Sequence, residues 1–337
     1  MGRYTADTNK IGLLYESGTY GNPTGTTAQW LGQILSHDVT ENENIIELRH
    51  IGTASRNVDS FVAGPLEVDG TVTYRPQDFR GLGLFLGSIV SVTATYSGAQ
   101  RHNYSEVENG ARMSAFTSGT LNPFISFQLE DSKTISTGSN FVRTVRGCNA
   151  NTFSMTIEQG TPVEVELGYI AQSVLFSSGA ATTLTASTIR PFLWSDTTIQ
   201  LPGGTTLETI KTATFTWKNG IVATQYVGSG RTGDVPAPLA RAYSVEITKD
   251  MTSETAKILY DQYYKGGSEF NMVLDVNADL SAVGIGSRHL ILTLSGCRVK
   301  EMTNPSIVEG IQEQTFTVQP KSASAIEYTG SAVKVPW

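Results

Sequence analysis

The side chains able to do chemistry are few and scattered along the 337 residues. Four histidines stand at His37, His50, His102 and His289, and no two fall at metal-ligand spacing. His37 and His50 can approach across one hairpin, but the matching places later in the chain are Ala213 and Tyr226, so both read as ordinary strand residues. Cys148 and Cys297 are too few for a disulfide framework or a structural zinc site. The glycines of Gly81-Leu82-Gly83-Leu84-Phe85-Leu86-Gly87 follow a strand with G-x-G-x-x-x-G spacing and no βαβ unit around them, which is not a dinucleotide fingerprint. Gly228-Ser229-Gly230-Arg231-Thr232-Gly233 lacks the Gly-Lys-Ser/Thr ending of a phosphate loop and reads as a surface loop. Glu164 and Glu166 lie two apart on a strand and share a face, whereas glycoside hydrolysis needs carboxylates opposed across a cleft. No nucleophile has an evident base and orienting partner. The sequence reads as non-enzymatic, with no catalytic, cofactor or metal site.

Composition narrows the class further. Charged residues are 16% of the chain and hydrophobic residues 39%, with glycine, serine and threonine filling the difference, as suits many short strands joined by tight turns. A formal net charge of −7 and a pI near 5.2 argue against gripping nucleic acid by its phosphates. No apolar run approaches a membrane span, and Met1–Asp7 has no hydrophobic signal core, so the expected compartment is the cytosol. Without a secretory signal the sequon Asn103-Tyr104-Ser105 carries no weight.

The elements that position these residues occur twice. His37–Ile51 aligns without a gap on Ala213–Val227, each a strand, a polar turn and a second strand ending at Gly52 or Gly228. Long polar loops follow, Thr53–Leu66 and Ser229–Leu239, and then new strands, Thr71–Tyr74 and Ser244–Ile247. Helices are expected at Asp78–Ile89, weakened by three glycines, and at Ser253–Lys265, capped by Thr252-Ser253 and stopped by Gly266-Gly267. Each copy closes on a Gly-Cys pair, Gly147-Cys148 or Gly296-Cys297, followed by alternating strands: Asn151–Glu158 and Val163–Gly168, then Glu313–Val318. The reading is mostly β with short helices, a duplicated β-sandwich domain. The first spans residues 1–176 and the second 177–337, with the boundary in the small-residue stretch Ser177–Ser187. Equivalent cysteines in separate domains sit apart, so both are expected as buried structural thiols.

These residues resemble the phage tail tube proteins in their form with two tandem tube domains. The resemblance rests on the hairpin and loop Ile46–Leu66, the phrase Gly64-Pro65-Leu66-Glu67-Val68-Asp69-Gly70-Thr71-Val72, Leu121–Leu129, the segment Arg146–Ile170 and Pro191–Gly220. It implies a structural protein of a long non-contractile virion tail, assembled in the host cytoplasm. Its strands would continue into a β-barrel between subunits, in stacked trimeric rings with pseudo-sixfold symmetry. It further implies partners: the protein itself, tape-measure and tail terminator or tip proteins, and double-stranded DNA passing without specific binding, with no membrane. Four strands per domain give ~24 per ring and a backbone diameter of ~48 Å at ~40° tilt, enough for a double helix. The rival is a β-sandwich adhesin or carbohydrate-binding fibre module, with Trp194, Trp217 and Trp337 as stacking platforms, although Trp217 beside Phe215 and Ala213 reads as core.

On this reading a neutral-to-acidic strand face lines the channel, since each neutralised phosphate strengthens DNA binding. The expected lining residues are Thr152, Ser154, Thr156 and Glu158, with Glu164 and Glu166, and Thr212, Thr214 and Thr216. The long loops, through Arg56, Asn57, Asp59 and Phe61 and through Arg231 and Asp234, are expected to reach a neighbouring subunit or ring, helped by the N-terminal arm Met1–Thr27.

Overall fold

The computed structural model describes residues 9–16, 20, 28–49, 58, 60–93, 100–106, 125–134, 140–178, 184, 189–225, 234–251, 259–279, 287–303 and 312–329. The chain first forms β1 (Asn9–Tyr15), β2 (Gln29–Trp30), β3 (Gly32–Asn42), β4 (Ile46–Leu48), β5 (Ser60–Val62) and β6 (Glu67–Pro76). Helix α1 (Arg80–Leu86) leads into β7 (Gly87–Thr93), β8 (Gln100–Glu106), β9 (Phe127–Thr134), β10 (Asn140–Glu158), β11 (Glu164–Ala171) and β12 (Ser173–Ser177). Then come β13 (Thr197–Leu201), β14 (Thr205–Thr206), β15 (Ile210–Lys218), β16 (Ile221–Thr224), β17 (Asp234–Pro238) and β18 (Ala242–Asp250). A π-helical turn, Leu259–Lys265, precedes β19 (Phe270–Asp279), β20 (Ser287–Thr303), β21 (Glu313–Gln319) and β22 (Ser322–Thr329).

Among the described residues pairing is antiparallel throughout and builds three large sheets. The widest has the order β3-β6-β11-β10-β15-β18-β21-β20. The second runs β2-β1-β9-β10-β12, and the third β14-β13-β19-β20-β22-β8-β7. Strands β10 and β20 each serve two sheets, and the Gly-Cys pair marks the crossing. Gly147 (φ 64°) and Gly296 (φ 61°) occupy the left-handed region that a Cβ disfavours. The following thiols, Cys148 and Cys297, donate back to the carbonyls of Val145 at 3.5 Å and Leu294 at 3.4 Å. No pairing among the described residues closes these sheets on themselves within the chain.

Strict alternation sorts the widest sheet into two faces. Phe153, Met155 and Ile157 on β10, Val165 and Leu167 on β11, and Ala213, Phe215 and Trp217 on β15 are buried and join one contiguous core with the other sheets. Each large side chain so buried contributes about 1.5–3 kcal/mol. The weak helix forms because that core takes it in. All seven α1 residues are buried, and Phe85 meets Phe153 and Trp217 with ring centroids 5.9 and 6.0 Å apart. Gly81 leaves room for the Tyr74 hydroxyl, and Gly87 closes the helix in the left-handed conformation.

Several expectations change. Helix α1 covers only Arg80–Leu86, with Ile89 already in β7, and the later helical segment is a π-helical turn over Leu259–Lys265, residues 252–258 lying outside the described residues. The long loops are loops only in part, because β5 pairs back on β4 and β17 on β16, forming two-stranded hairpins. Strand pairing also joins elements from the two halves of the chain, β10 with β15 and β8 with β22.

Candidate functional site

The nine residues expected on a channel wall lie on one face of three adjacent strands. Ser154 stands opposite Glu166 on one side and Thr216 on the other. Thr156 likewise lies between Glu164 and Thr214, while Thr152 faces Lys218 and Glu158 faces Thr212. All nine side chains are half-buried or exposed while their strand neighbours are buried. The same polar face continues outward through Thr73 and Thr71 on β6, Ser244 and Glu246 on β18, and Thr315 and Thr317 on β21. Short hydroxyls cover most of it, and carboxylates exceed bases.

The face is not free of cations. Arg75 on β6 holds Glu164 through Nη2 at 3.2 Å, and Lys218 ends the β15 row. At the rim Lys211 is bridged by Asp250 at 2.9 Å and Glu313 at 2.5 Å. A cleft of about 360 Å³ opens beside it, with Trp194 and Thr209 in its lining. Of the three tryptophans that a carbohydrate platform would need, Trp217 is fully buried among Phe85, Phe153, Phe215 and Tyr243. Trp194 is 40% exposed, and Trp337 lies outside the described residues.

The two hairpins carry several exposed apolar side chains, as β12 does through Leu175 and Phe176. Phe61 is 66% exposed, and Ile46 and Val62 lie beside it on β4 and β5; Val222 and Leu239 show similarly at the β16–β17 hairpin. Backbone pairing places Asp234 opposite Thr224. Arg56, Asn57, Asp59 and Arg231 lie outside the described residues, as does most of the N-terminal arm.

The remaining reactive groups are held in structural roles. Both thiols are free and buried, and burial pushes Cys297 up to about 12 and Cys148 well above its usual value. His37 meets the Tyr169 hydroxyl at 2.7 Å; burial, with Arg143 nearby, pushes its pKa down to about 4. His50 lies outside the described residues, His102 meets Thr329 at 3.2 Å, and His289 meets Asp275 at 2.8 Å. Among the described residues no three His, Cys, Asp or Glu side chains gather as metal ligands. Sequence reasoning missed one cluster. Buried Arg80 grips Asp78 at 2.6 Å, while Glu327 of β22 accepts from the Phe79 amide at 2.9 Å and from the Tyr104 hydroxyl. Burial, and then Asp78, push Glu327 up to about 7. Its sequence signal was a lone acid set among apolar residues in Ala325–Tyr328.

A family model described as phage tail tube protein matches residues 7–320. The chain belongs to that family. Membership in the phage tail tube family gives it a structural role in the virion tail, where such proteins assemble with themselves into a tube. No curated protein matches it. Among solved structures it is similar, with 7% identity and a TM-score of 0.11 over 96% of this chain and 88% of the other, to a Pseudomonas aeruginosa FadL homologue; so low a score carries no weight against the tail tube assignment.

Proposed function

We propose that this tail tube protein forms trimeric rings that stack into the hollow tube of a long non-contractile phage tail, with viral DNA passing along the polar face of the widest sheet. One observation carries the reading: a single eight-stranded sheet with a continuous hydroxyl- and carboxylate-rich face, covered by core on the other side, whose outer edges take no further strand among the described residues. An open sheet of this width invites further strands, and adding copies of itself removes the edges. Residues 1–176 and 177–337 act as two tube domains contributing four strands each, so three chains supply ~24 strands and a backbone ring of ~48 Å. A wall with few unpaired cations gives passing phosphates little to bind. The hairpins β4–β5 and β16–β17 reach the neighbouring subunit or ring through their exposed apolar residues. The chain acts without catalysis or cofactor, is assembled in the host cytoplasm, and meets tape-measure and terminator or tip proteins at the tube ends.

Negative-stain microscopy of the purified protein tests the proposal. Annuli or tubes with a stain-filled lumen are expected, and limited cross-linking should stop at trimers before longer products appear. A protein that stays monomeric at high concentration across salt conditions would overturn it.

A further inference from the structure

The two ends of the widest sheet match the two strands that meet in its middle. In β3 the register shifts at Leu35, between Ile34 and Ser36; in β15 it shifts at Lys211, between Ile210 and Thr212. In β10 the shift falls at Asn151, between Ala150 and Thr152; in β20 it falls at Lys300, between Val299 and Glu301. A bulge is a specified feature of a strand, so its recurrence at matched positions identifies β3 with β15 and β10 with β20. The Gly-Cys pairs agree, each with a left-handed glycine and a thiol bonded to the carbonyl three residues back. Inside the chain, β10 and β15 are joined directly, with Thr152 opposite Lys218, Phe153 opposite Trp217 and Ser154 opposite Thr216. Their counterparts, the C-terminal half of β20 and the whole of β3, each pair on one side only among the described residues.

We infer that β20 of one copy pairs antiparallel with β3 of a second copy in the register of the internal joint: Glu301 opposite Asn42, Met302 opposite Glu41 and Thr303 opposite Thr40. The inference rests on the ring-forming function proposed above and specifies which edges meet and how they align. The contact is head-to-tail, the kind that forms a closed ring or an open filament according to its rotation. It keeps the faces consistent. Glu301, Thr303, Asn42 and Thr40 are exposed and extend the polar face, while half-buried Met302 and exposed Glu41 meet on the other side at the sheet's edge. A one-residue slip would set Met302 opposite Thr40 or Asn42 and so put the polar-face residues of the second copy on the wrong side of the joint, which opposes misalignment.

Charge complementarity supports the same alignment. In the internal joint the bulged Asn151 accepts from the Asn219 amide at 2.7 Å through its carbonyl and from the Ile221 amide at 3.1 Å through Oδ1. The corresponding bulge in β20 is Lys300, and the residue corresponding to Asn219 is Glu43. Both are exposed. The joint between copies would thus bring a cation to an acid, with Glu41 beside it, where the internal joint uses neutral hydrogen bonds.

Paired cysteines test the register. Directly opposite residues in an antiparallel pair have Cα atoms about 4.5–5.5 Å apart, within disulfide reach. Within one chain the two positions are separated by seven strand spacings, about 34 Å along the sheet. Oxidised Thr40→Cys/Thr303→Cys protein should give a ladder of covalent oligomers on a non-reducing gel. The off-register pair Ser36→Cys/Thr303→Cys should not. Each single variant alone should stay uncross-linked, while a mixture of the two should give dimers only. In a second measurement, Lys300→Glu should raise the concentration needed for assembly, and adding Glu43→Lys should restore it. Rings or tubes that form without in-register cross-linking, or that cross-link off register, would overturn the inference and leave the tube function standing. A protein forming no assembly at all would overturn both.

Discussion

Glu164 and Glu166 illustrate how much a face depends on its neighbours. Glu164 is paired with Arg75, so the pair is locally neutral, while Glu166 faces Thr73 and Ser154. Replacing both with lysine adds two cations and releases a third. Folding should change little, because the Glu164 side chain is 43% exposed, Glu166 is exposed, and an exposed ion pair contributes only about 0–1 kcal/mol. DNA transit should change more. Tubes of Glu164→Lys/Glu166→Lys protein should retain DNA at 50 mM salt and release it at 200 mM, since phosphate binding weakens roughly as a power of salt with the number of contacts. Equal release at both concentrations, measured by DNA retention on purified tubes, would remove these residues from the wall. Glu327 gives the complementary case of a buried charge. Its carboxyl is pushed up to about 7 in the folded chain from an ordinary value near 4.5. The folded state therefore holds a proton that the unfolded chain has lost between those pH values. This contribution to stability is complete below about 4.5 and is lost as pH rises through about 7. Glu327→Gln keeps an acceptor for the Phe79 amide and should flatten the fall in Tm between pH 5 and 8. His37 acts in the opposite direction: its depressed pKa withdraws stability as pH falls from about 6.5 toward 4.

Elements show what the sequence made legible and what it hid. Alternation from Thr152 to Glu158 revealed both faces of β10, because successive strand residues point to opposite sides and no bulge interrupts this stretch. The gapless match of His37–Ile51 to Ala213–Val227 was legible too, and the bulges at Leu35 and Lys211 sit at matched positions just before it. Hidden were the strands β5 and β17, three and five residues long, whose pairing depends on partners across a polar loop rather than on their own pattern. The cluster of Asp78, Arg80 and Glu327 was hidden as well, since it joins residues far apart in the chain. The hairpins yield a prediction. Phe61 and Ile46 are exposed and contribute little to the fold, so Phe61→Ser/Ile46→Ser should leave Tm nearly unchanged. If these side chains seat on a neighbour, aromatic loss at an interface costs about 2 kcal/mol or more, and the concentration needed for tube growth should rise roughly thirtyfold or more. Normal elongation in a light-scattering assay would reduce the hairpin to a connector.

At the scale of the whole molecule, two opposing electrostatic terms act on assembly. Each copy carries a formal net charge of −7, so chains approaching one another repel, and in the proposed ring the acids of the polar sheet face would be brought closer. Against this stand local pairs at the joints, such as Lys300 with Glu43, each worth about 0–1 kcal/mol when exposed. Repulsion acts over the Debye length, about 30 Å at 10 mM salt and about 8 Å at 150 mM, whereas a contact pair is only partly screened at either. Strand pairing and the burial of hairpin side chains are nearly independent of salt over this range. Raising salt from 10 to 150 mM should therefore speed assembly and lower the concentration at which tubes appear, the reverse of what a tube held mainly by charge pairs would show. Light scattering of the purified protein across that range, with microscopy to identify the product, checks it. Assembly that slows steadily as salt rises would mean that the joints are held by ion pairs, and that the excess of acids on the sheet face lies too far from the joints to oppose them.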